Sequence, residues 1–425
     1  MIKLIEKYFD RLFPLNRSLT GKDYQKSIDI LNEIIPIKKI NFKSGQKVFD
    51  WKIPLEWNVK KAYLKDKRGK KIIDFEKNNL HLLGYSQKFI KKVSLSVLKK
   101  NLYFIKDLPN AIPYVTSYYK KRWGFCLSYN QFKKLKNEKY DVVIDTSSKK
   151  GKLTVGECLI KGKSKKEILI STNLCHPSLA NNELSGPLTV AFLYKKIKKM
   201  NLKYSVRFIF TPETIGTIAL LSRYKNRFKE NIIGGYQVTC CGLNQYPFYK
   251  KSKTGSSLSD LAIIDTLKNI THKTLEYFPL GSDECRYNTL GINIPIGAFM
   301  RTNFDTYKEY HSSFDNKKII SFKKINENTK ILTSAINFMN SSNFYKSIIQ
   351  DCEPFLSKRN IYSSVSKYNS FSKIDKISES FFWLMSYSNG KTSDIEISRM
   401  SKISLNNINS AAQILIKKKL LKNVT

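Results

Sequence analysis

The sequence predicts an α/β fold in which a mixed, mostly parallel sheet is flanked by helices. Strand-like segments are predicted at 166–172, 204–212, 234–242 and 292–300. The first two, KEILIST and YSVRFIFTP, have the continuous apolar character of strands buried on both faces. Amphipathic helical patterns follow them at 185–200 and 213–224. Strands that alternate with helices in this way are typical of parallel sheets covered by helices.

The first 150 residues do not follow this alternation. Residues 1–35 are predicted to be helical, because DYQKSIDILNEII places several aliphatic side chains near one face of a helix. Between 51 and 150, short alternating segments are separated by turns rich in Lys, Asn and Gly. One helical segment, SLSVLKKNLYFI, interrupts them. This pattern indicates a small β-rich unit.

The last 55 or so residues predict three short helices in the order of a winged-helix module. Ser393 and Ser404 are predicted N-caps, and Glu396 stands three places after the first of them, as in a capping box. Many modules of this kind serve packing or dimerisation rather than DNA binding. Three units are therefore predicted: an α/β unit (1–50 and 151–345), an inserted β-rich unit (51–150) and a winged helix-turn-helix unit (368–425).

Cysteine usage and hydropathy predict a soluble, cytoplasmic protein. The chain has seven cysteines, an odd number, and no two of them form a C-x-x-C pair. Reduced thiols fit this pattern better than a disulfide framework or a zinc ribbon. The N-terminal stretch MIKLIEKYFDRLF lacks the apolar core of a secretion signal, and no segment approaches the length of a membrane span.

The formal net charge of +41 does not by itself indicate a nucleic-acid-binding protein. Lysine greatly outnumbers arginine, and the lysines are spread along the whole chain. Base-specific readers depend on arginine for bidentate contacts. A lysine-, asparagine- and isoleucine-rich composition is expected from an AT-rich genome, so a nucleic-acid partner is not predicted, while a different anionic partner stays open.

Several polar residues stand where parallel strands are predicted to end. His176 follows the first strand and Glu213 the second, and ligands in such folds bind at the carboxyl ends of strands. Glu213 is either a helix cap or a general base that activates a metal-bound water. His311 lies in a polar loop, YKEYHSSFDN, and the loop GSDEC offers Asp283 and Glu284, which are caps or functional groups. The other two histidines, His81 and His272, are predicted to be structural or superficial.

The motifs of the chain resemble those of a bacterial family of aminopeptidase-like proteins. The resemblance is carried along the whole chain by LFPLNRSLTG, FDWKIPLEWNVKKAYL, NLHLLGYS, IPYVTSYYKKRWGFCLS, GECLIKG, CHPSLANNELSGP, TPETIG, GSDECRY and EYHSSFDN. It implies a core similar to the M28 zinc-peptidase fold, with an inserted β-rich domain and a C-terminal winged helix-turn-helix. It also implies an association with polysaccharide biosynthesis.

The resemblance assigns roles to individual residues. His176 matches the first metal-ligand histidine, His311 the last, and Glu213 the general base. Thr214 stands where typical M28 enzymes have an acidic ligand, a departure that the family shares, whereas Asn182 and Leu243 stand where the family itself has acids. Glu183, one place after Asn182, is the acid that is expected to replace the missing carboxylate.

These departures leave the metal content open. A dinuclear zinc site is disfavoured, because neither asparagine nor leucine replaces a bridging carboxylate. A mononuclear zinc site of His176, Glu183 and His311 and a site without metal are both compatible with the sequence. Asp283, Glu284, Arg301 and Tyr310 are the predicted substrate-binding residues, with a buried ion pair as the alternative for Arg301.

Two functions follow as hypotheses. The first is a zinc-dependent amide or peptide hydrolase that acts on a peptide-like, aminoacyl or saccharide small molecule. The second is an inactive binding or scaffold protein of a polysaccharide-biosynthesis pathway, in which the fold is kept and the chemistry is lost. Assembly as a homo-oligomer is compatible with both.

Overall fold

The computed structural model describes residues 1–361 and 375–425. The helices in these ranges are α1 (Ile2–Leu12), α2 (Lys22–Asn32), α3 (Leu95–Lys99), α4 (Tyr129–Lys133), α5 (Ser185–Ile197), α6 (Ile215–Asn231), α7 (Leu258–Leu267), α8 (Glu284–Tyr287), α9 (Phe322–Ser341), α10 (Lys376–Tyr387), α11 (Asp394–Ser401) and α12 (Leu405–Lys417). The strands are β1 (Lys38–Lys43), β2 (Lys47–Val48), β3 (Trp51–Lys52), β4 (Glu56–Lys65), β5 (Lys71–Asp74), β6 (Phe89–Ser94), β7 (Leu102–Tyr103), β8 (Phe125–Cys126), β9 (Lys139–Lys149), β10 (Lys152–Ile160), β11 (Ser164–Asn173), β12 (Tyr204–Thr211), β13 (Ile232–Val238), β14 (Phe248–Lys250), β15 (Lys273–Leu275), β16 (Ile296–Met300), β17 (Phe344–Ser347), β18 (Asn389–Ser393) and β19 (Leu421–Asn423).

Eight of the described strands form the main sheet, in the order β1-β10-β12-β11-β13-β16-β14-β15. The four central strands, β12, β11, β13 and β16, are parallel to one another, whereas β1, β10 and β14 pair antiparallel with their inner neighbours. Every residue of β12 and β13 is buried, as expected for central strands covered on both faces. The predicted mixed, mostly parallel sheet is confirmed.

Helices cover the main sheet on both faces. Apolar side chains of α1, α2, α5, α7 and α9 pack with one face in a single hydrophobic cluster. Those of α6 belong to a second cluster on the opposite face. The crossover from β11 to β12 through α5 and the crossover from β12 to β13 through α6 therefore lie on opposite faces of the sheet.

The inserted β-rich unit is packed directly against the main sheet. Its four longest strands form an antiparallel sheet in the order β5-β4-β9-β6. Trp57 and Ile144 of this unit share one buried cluster with Leu169 and Ile209 of the main sheet. The insert consequently replaces, on one face of the main sheet, part of the helical layer that this fold class would otherwise require.

The C-terminal unit contains the three predicted helices and a small sheet, β18-β17-β19. The predicted capping box at the start of α11 is confirmed. The side chains of Ser393 and Glu396 each accept a hydrogen bond from the backbone N–H of the other residue. The second carboxylate oxygen of Glu396 accepts the N–H of Leu258 at 3.2 Å, at the first turn of α7. This contact ties the C-terminal unit to the α/β unit. Because β17 pairs with β18 and β19, the C-terminal sheet begins at Phe344, upstream of the predicted position 368.

Within the described ranges, no helix has the length and apolar character that crossing a membrane requires. All seven cysteines are free thiols, and all but Cys352 are buried.

We expect Gly235→Ala to destabilise the protein far more than Gly69→Ala. Both glycines have positive φ, +156° and +79°, so both substitutions carry a backbone cost of about 1–2 kcal/mol. A Cβ at Gly235 would also lie 1.9 Å from the carbonyl oxygen of Leu169, whereas a Cβ at Gly69 meets nothing within 4 Å. We expect a loss of about 4 kcal/mol or more for Gly235→Ala, measured as the free energy of unfolding in urea. If both variants lost the same free energy of unfolding, the close contact between Gly235 and Leu169 would not limit the side chain at position 235.

Candidate functional site

The candidate site lies at the carboxyl ends of the central parallel strands. His176 follows β11, Glu213 follows β12, Thr239 follows β13, and the loop that contains Tyr310 and His311 follows β16. Since the crossovers that leave β11 and β12 run over opposite faces, the chain opens a crevice between these strand ends. This is the position at which the sequence analysis predicted a ligand.

A cavity of about 340 Å³ occupies the crevice. Its lining residues are Asn173, His176, Asn182, Glu183, Glu213, Thr239, Leu280, Gly281, Phe304, Asp305, Tyr310 and His311. A larger cavity of about 790 Å³ lies in the C-terminal unit, but its lining contains no histidine among the residues that the structure describes. The smaller cavity is the candidate site because both strand-end histidines and several acids converge on it.

The buried carboxylate of Glu183 fixes the orientation of His176. One of its oxygens accepts the backbone N–H groups of Cys175 and His176, and the other is 2.6 Å from His176 Nδ1. Nδ1 is therefore engaged, and Nε2 is the nitrogen that faces Glu213, at 3.7 Å from its carboxylate. Burial alone lowers the pKa of His176, but the charge and hydrogen bond of Glu183, together with the charge of Glu213, outweigh burial, and the pKa lies above its ordinary value.

A single π-helical turn, Ala180–Leu184, places Glu183 beneath the ring of His176 and leaves Asn182 in the cavity wall. The turn is held by Asp315, whose carboxylate accepts the backbone N–H groups of Asn181 at 2.6 Å and Asn182 at 2.9 Å. Tyr307 donates its hydroxyl to the same carboxylate at 2.8 Å. Asp315 thus joins the loop after β16 to the loop after β11.

His311 is enclosed by aromatic rings. Tyr310 stacks on it with ring centroids 3.9 Å apart and planes 13° apart. The ring centroids of His311 and His176 are 5.4 Å apart. Burial, with a further contribution from His176, lowers the pKa of His311 to about 3, so the ring is neutral. Its Nε2 is buried and has no hydrogen-bond partner in the described part of the chain.

Glu213 lies across the cavity from these rings. Ser282 donates its hydroxyl to one carboxylate oxygen of Glu213 at 3.1 Å, and Asn173 donates to the Ser282 hydroxyl at 2.8 Å. The Glu213 side chain is 31% exposed. The cavity walls still desolvate its carboxylate, and this burial raises the pKa of Glu213 against the opposing effect of His176. A carboxylate held by one oxygen, with the other facing His176 Nε2 at 3.7 Å, is suited to accept a proton.

Asp283 lies behind Glu213. Its carboxylate accepts the backbone N–H of Thr214 at 2.9 Å and the hydroxyl of Thr217 at 2.7 Å, at the start of α6. Thr214 has φ +63° and ψ −73°, an unusual conformation for a β-branched residue. Asp283 therefore stabilises the strained turn at Thr214, next to Glu213. Asp283 itself is not among the residues that line the cavity.

Two other predicted substrate-binding residues are not brought to the cavity. Glu284 is fully buried, pairs with Lys250 at 2.9 Å through one oxygen, and is not among the residues that line the cavity. Arg301 is buried and is paired with Glu327 at 3.2 Å, an ion pair whose carboxylate side is 31% exposed, and it does not line the cavity. Tyr310 does line the cavity.

Two side chains that complete the site were not predicted from the sequence. Tyr114 comes from the inserted unit and packs edge-on against His176 and His311, with centroid distances of 4.7 and 5.3 Å. Arg17, near the N-terminus, donates from Nε to the carbonyl oxygen of His176 at 3.0 Å and is almost completely buried. Both residues occur in motifs on which the family resemblance rests, and those motifs were the available signal.

The described residues include one cluster in which three metal-ligand types approach within 4.8 Å, namely Cys175, His176 and Glu183. A metal at that point would displace the hydrogen bond between Glu183 and Nδ1. It would also need a thiolate, although burial and the nearby Glu183 raise the pKa of Cys175 well above its ordinary value. This cluster therefore fits a metal poorly.

The cavity side of His176 fits a single metal ion better. His176 Nε2 faces Glu213 across the cavity, and two other lining residues have a buried atom without a partner among the described residues, namely His311 Nε2 and Asn182 Oδ1. An imidazole whose other nitrogen is held by a carboxylate is the usual arrangement of a metal-ligand histidine. Two ions do not fit, because Asn182, Thr214 and Leu243 supply none of the carboxylates that a dinuclear site shares.

The fold is that of M28-type aminopeptidases. The chain is similar to BSAP, a zinc aminopeptidase from Bacillus subtilis, with a TM-score of 0.58 and 12% identity over 79% of this chain and 93% of that one. It is also similar to a peptidase M28 precursor from Shewanella amazonensis, with a TM-score of 0.55 and 11% identity over 80% of this chain and 93% of the other. At such identities the likeness establishes the fold alone.

Two comparisons with Clostridium acetobutylicum cover nearly the whole chain. A crystal structure described as that of a peptidase matches with a TM-score of 0.79 and 37% identity, over 100% of this chain and 96% of that chain. A relative whose name refers to polysaccharide biosynthesis and to an aminopeptidase-like domain is 38% identical over 422 residues, which are 99% of this chain and 96% of the relative.

Family models divide the chain between them. Residues 6–342 match the family described as Domain of unknown function (DUF4910), and residues 343–423 match a winged helix-turn-helix. The chain belongs to the DUF4910 family. The predicted aminopeptidase-like family with a C-terminal winged helix-turn-helix is confirmed.

We expect Asp283→Asn to weaken the pH dependence of stability. Burial, reinforced by Glu213, raises the pKa of Asp283 to about 7 in the folded protein, against about 3.9 for a free aspartate. The folded state therefore binds more protons than the unfolded state between these values, and Asp283 makes stability fall as pH rises from about 4 to about 7. Urea unfolding at pH 5 and pH 8 measures the difference. Asp50→Asn, at an exposed position, is the control and should retain the wild-type difference.

Proposed function

We propose that the protein is a zinc-dependent amide hydrolase that uses one metal ion and Glu213 as its general base. The observation that carries this proposal is that two imidazoles with ring centroids 5.4 Å apart line one cavity together with the carboxylate of Glu213. His311 Nε2 has no partner in the described residues, and His176 Nε2 faces Glu213 at 3.7 Å. A catalytic zinc site requires about three protein ligands and an open position.

His176 and His311 would hold the ion in this proposal, and Asn182 Oδ1, which is buried without a partner in the described residues, is the candidate for a third contact. Glu183, predicted as a ligand, supports His176 from behind, since both of its oxygens already accept hydrogen bonds. When bound, zinc supplies Lewis-acid polarisation of a substrate carbonyl.

Glu213 transfers the proton in this proposal. It takes one proton from the attacking water and delivers it to the leaving nitrogen as the C–N bond breaks. Ser282 keeps the carboxylate in place, and burial gives Glu213 a pKa above that of a free glutamate, which favours proton transfer near neutral pH. Tyr310 and Phe304 line the cavity beside the reacting groups and limit the access of water.

The substrate that we propose is small and carries a free amino group beside the amide. The cavity of about 340 Å³ accommodates a small ligand only. Glu213 and Asp305 line it, and its described lining contains no lysine or arginine, although the chain as a whole carries a formal net charge of +41. With the ion and the base in place, Asp305 is the lining carboxylate that has no other proposed role, and it favours an ammonium group on the substrate over a carboxylate or a phosphate.

The relative from Clostridium acetobutylicum suggests the context of the reaction. Its name refers to polysaccharide biosynthesis, and the two chains match along almost their full lengths. We therefore propose an aminoacyl or amide-bearing saccharide precursor as the substrate class.

We expect His311→Ala to weaken zinc binding by about 10-fold to 100-fold or more, because it removes a proposed ligand. The measurement is zinc affinity by competition with a chelating dye, on full-length protein that was stripped of metal and reloaded. His272→Ala is the matched control, because His272 lies away from the cavity lining and hydrogen-bonds to the carbonyl oxygen of Ile270. Unchanged affinity in His311→Ala would remove His311 from the site.

We expect Glu213→Gln to lower kcat/KM for an aminoacyl-arylamide by about 10²-fold to 10⁴-fold while zinc remains bound, since glutamine cannot accept the proton. Glu276→Gln, at a side chain that is 78% exposed, should leave turnover unchanged. Turnover that survives Glu213→Gln would contradict the proposed base, and zinc binding without any amide hydrolysis would contradict the proposed reaction.

A further inference from the structure

The inserted β-rich unit is joined to the His311 loop by backbone hydrogen bonds. Tyr114 N donates to the His311 carbonyl at 2.7 Å, and Ser313 N donates to the Ile112 carbonyl at 2.8 Å. The hydroxyl of Ser313 accepts the N–H of Ile112 at 3.0 Å, and Pro113 and Ser312 form an antiparallel bridge. A short two-stranded contact therefore links residues 112–114 to residues 311–313.

This contact holds His311 in an unfavourable backbone conformation. Its φ is +52°, in the left-handed region that residues other than glycine seldom adopt. Such a conformation persists when surrounding structure fixes it, and here the insert binds the carbonyl of His311 and the backbone N–H of Ser313, two residues later. The direction of the His311 ring thus depends on a unit that lies outside the α/β domain in sequence.

The ring of Tyr114 touches both imidazoles. It meets His176 at an interplanar angle of 89° and His311 at 82°, so its edge or face contacts each ring. Tyr310 stacks on His311 as well. The hydroxyl of Tyr114 is 3.2 Å from that of Tyr118, which fixes the Tyr114 ring from its far end.

We propose that Tyr114 is a positioning residue for the metal site, and that the inserted unit sets the separation of His176 and His311 before a metal binds. The inference rests on the proposed function, because it concerns the same two ligands. Ligand groups that are held in place beforehand bind a metal more tightly, since less conformational freedom is lost on binding. Tyr114 has no contact with the metal in this proposal and acts through the two rings.

The test compares cobalt(II) affinity in the full-length chain for the wild type, Tyr114→Phe, Tyr114→Ala and Tyr114→Leu. Affinity is measured from the visible absorption of the bound ion and by competition with a chelating dye. We expect about 10-fold to 100-fold weaker binding for Tyr114→Ala, as for other residues that orient metal ligands. Tyr114→Phe keeps the ring and should stay within about threefold of the wild type. Tyr114→Leu keeps apolar volume and replaces Tyr114→Ala if the latter does not fold.

Tyr119→Ala is the matched control. Tyr119 belongs to the same segment, is 50% exposed, and contacts Trp51 rather than the histidines. Wild-type affinity in the alanine and leucine variants at position 114, or equal weakening by Tyr119→Ala, would overturn the inference and leave the proposed function standing. If the wild type bound no cobalt(II), or if His311→Ala left its cobalt(II) affinity unchanged, both the inference and the proposed function would be overturned.

Discussion

The Glu183 carboxylate is the constraint on which the geometry of the site depends. Buried side chains that carry charge need partners, and this one accepts two backbone N–H groups and the Nδ1 of His176. Arg17 lies close enough to balance its charge and binds the backbone of the same loop. The turn after β11 is therefore fixed in one conformation, and the remaining nitrogen of His176 is directed into the cavity. The other elements of the site are arranged around that nitrogen.

The number of carboxylates in the crevice determines which chemistry the fold can support. A site for two divalent ions needs several acids to offset their charge, and one is commonly shared between the ions. In this chain Asn182, Thr214 and Leu243 occupy positions where acids were expected, and Glu183 is engaged behind the ring. What is left, two imidazoles and the carboxylates of Glu213 and Asp305, matches the charge of one divalent ion and includes one proton acceptor beside His176.

Sequence patterns predicted the framework and part of the site. The central strands, the flanking helices and the capping box at Ser393 follow from local periodicity and from hydrogen bonds between near neighbours in sequence. Because His176 and Glu213 each follow a predicted parallel strand, the sequence also predicted that they lie at the same edge of the sheet. The contribution of Tyr114 could not be read from periodicity, because it depends on how a unit 60 residues upstream packs against the sheet. Similarly, Glu284 and Arg301 have the chemistry of binding residues, and only the tertiary structure reveals the ion pairs that occupy them.

The hydrophobic cluster shared by the insert and the main sheet has a consequence for the movement of substrate. A domain that closes over a ligand must also be able to move away from it. If the insert moved away from the main sheet, Trp57, Ile144 and the apolar side chains that they contact on the sheet would be exposed to water, at a cost in free energy. The insert is therefore expected to stay packed against the sheet while substrate enters and leaves. The described lining of the cavity includes no residue of the insert, and among the lining residues Leu280 is 72% exposed. Displacing such an exposed side chain costs far less than separating two packed units would.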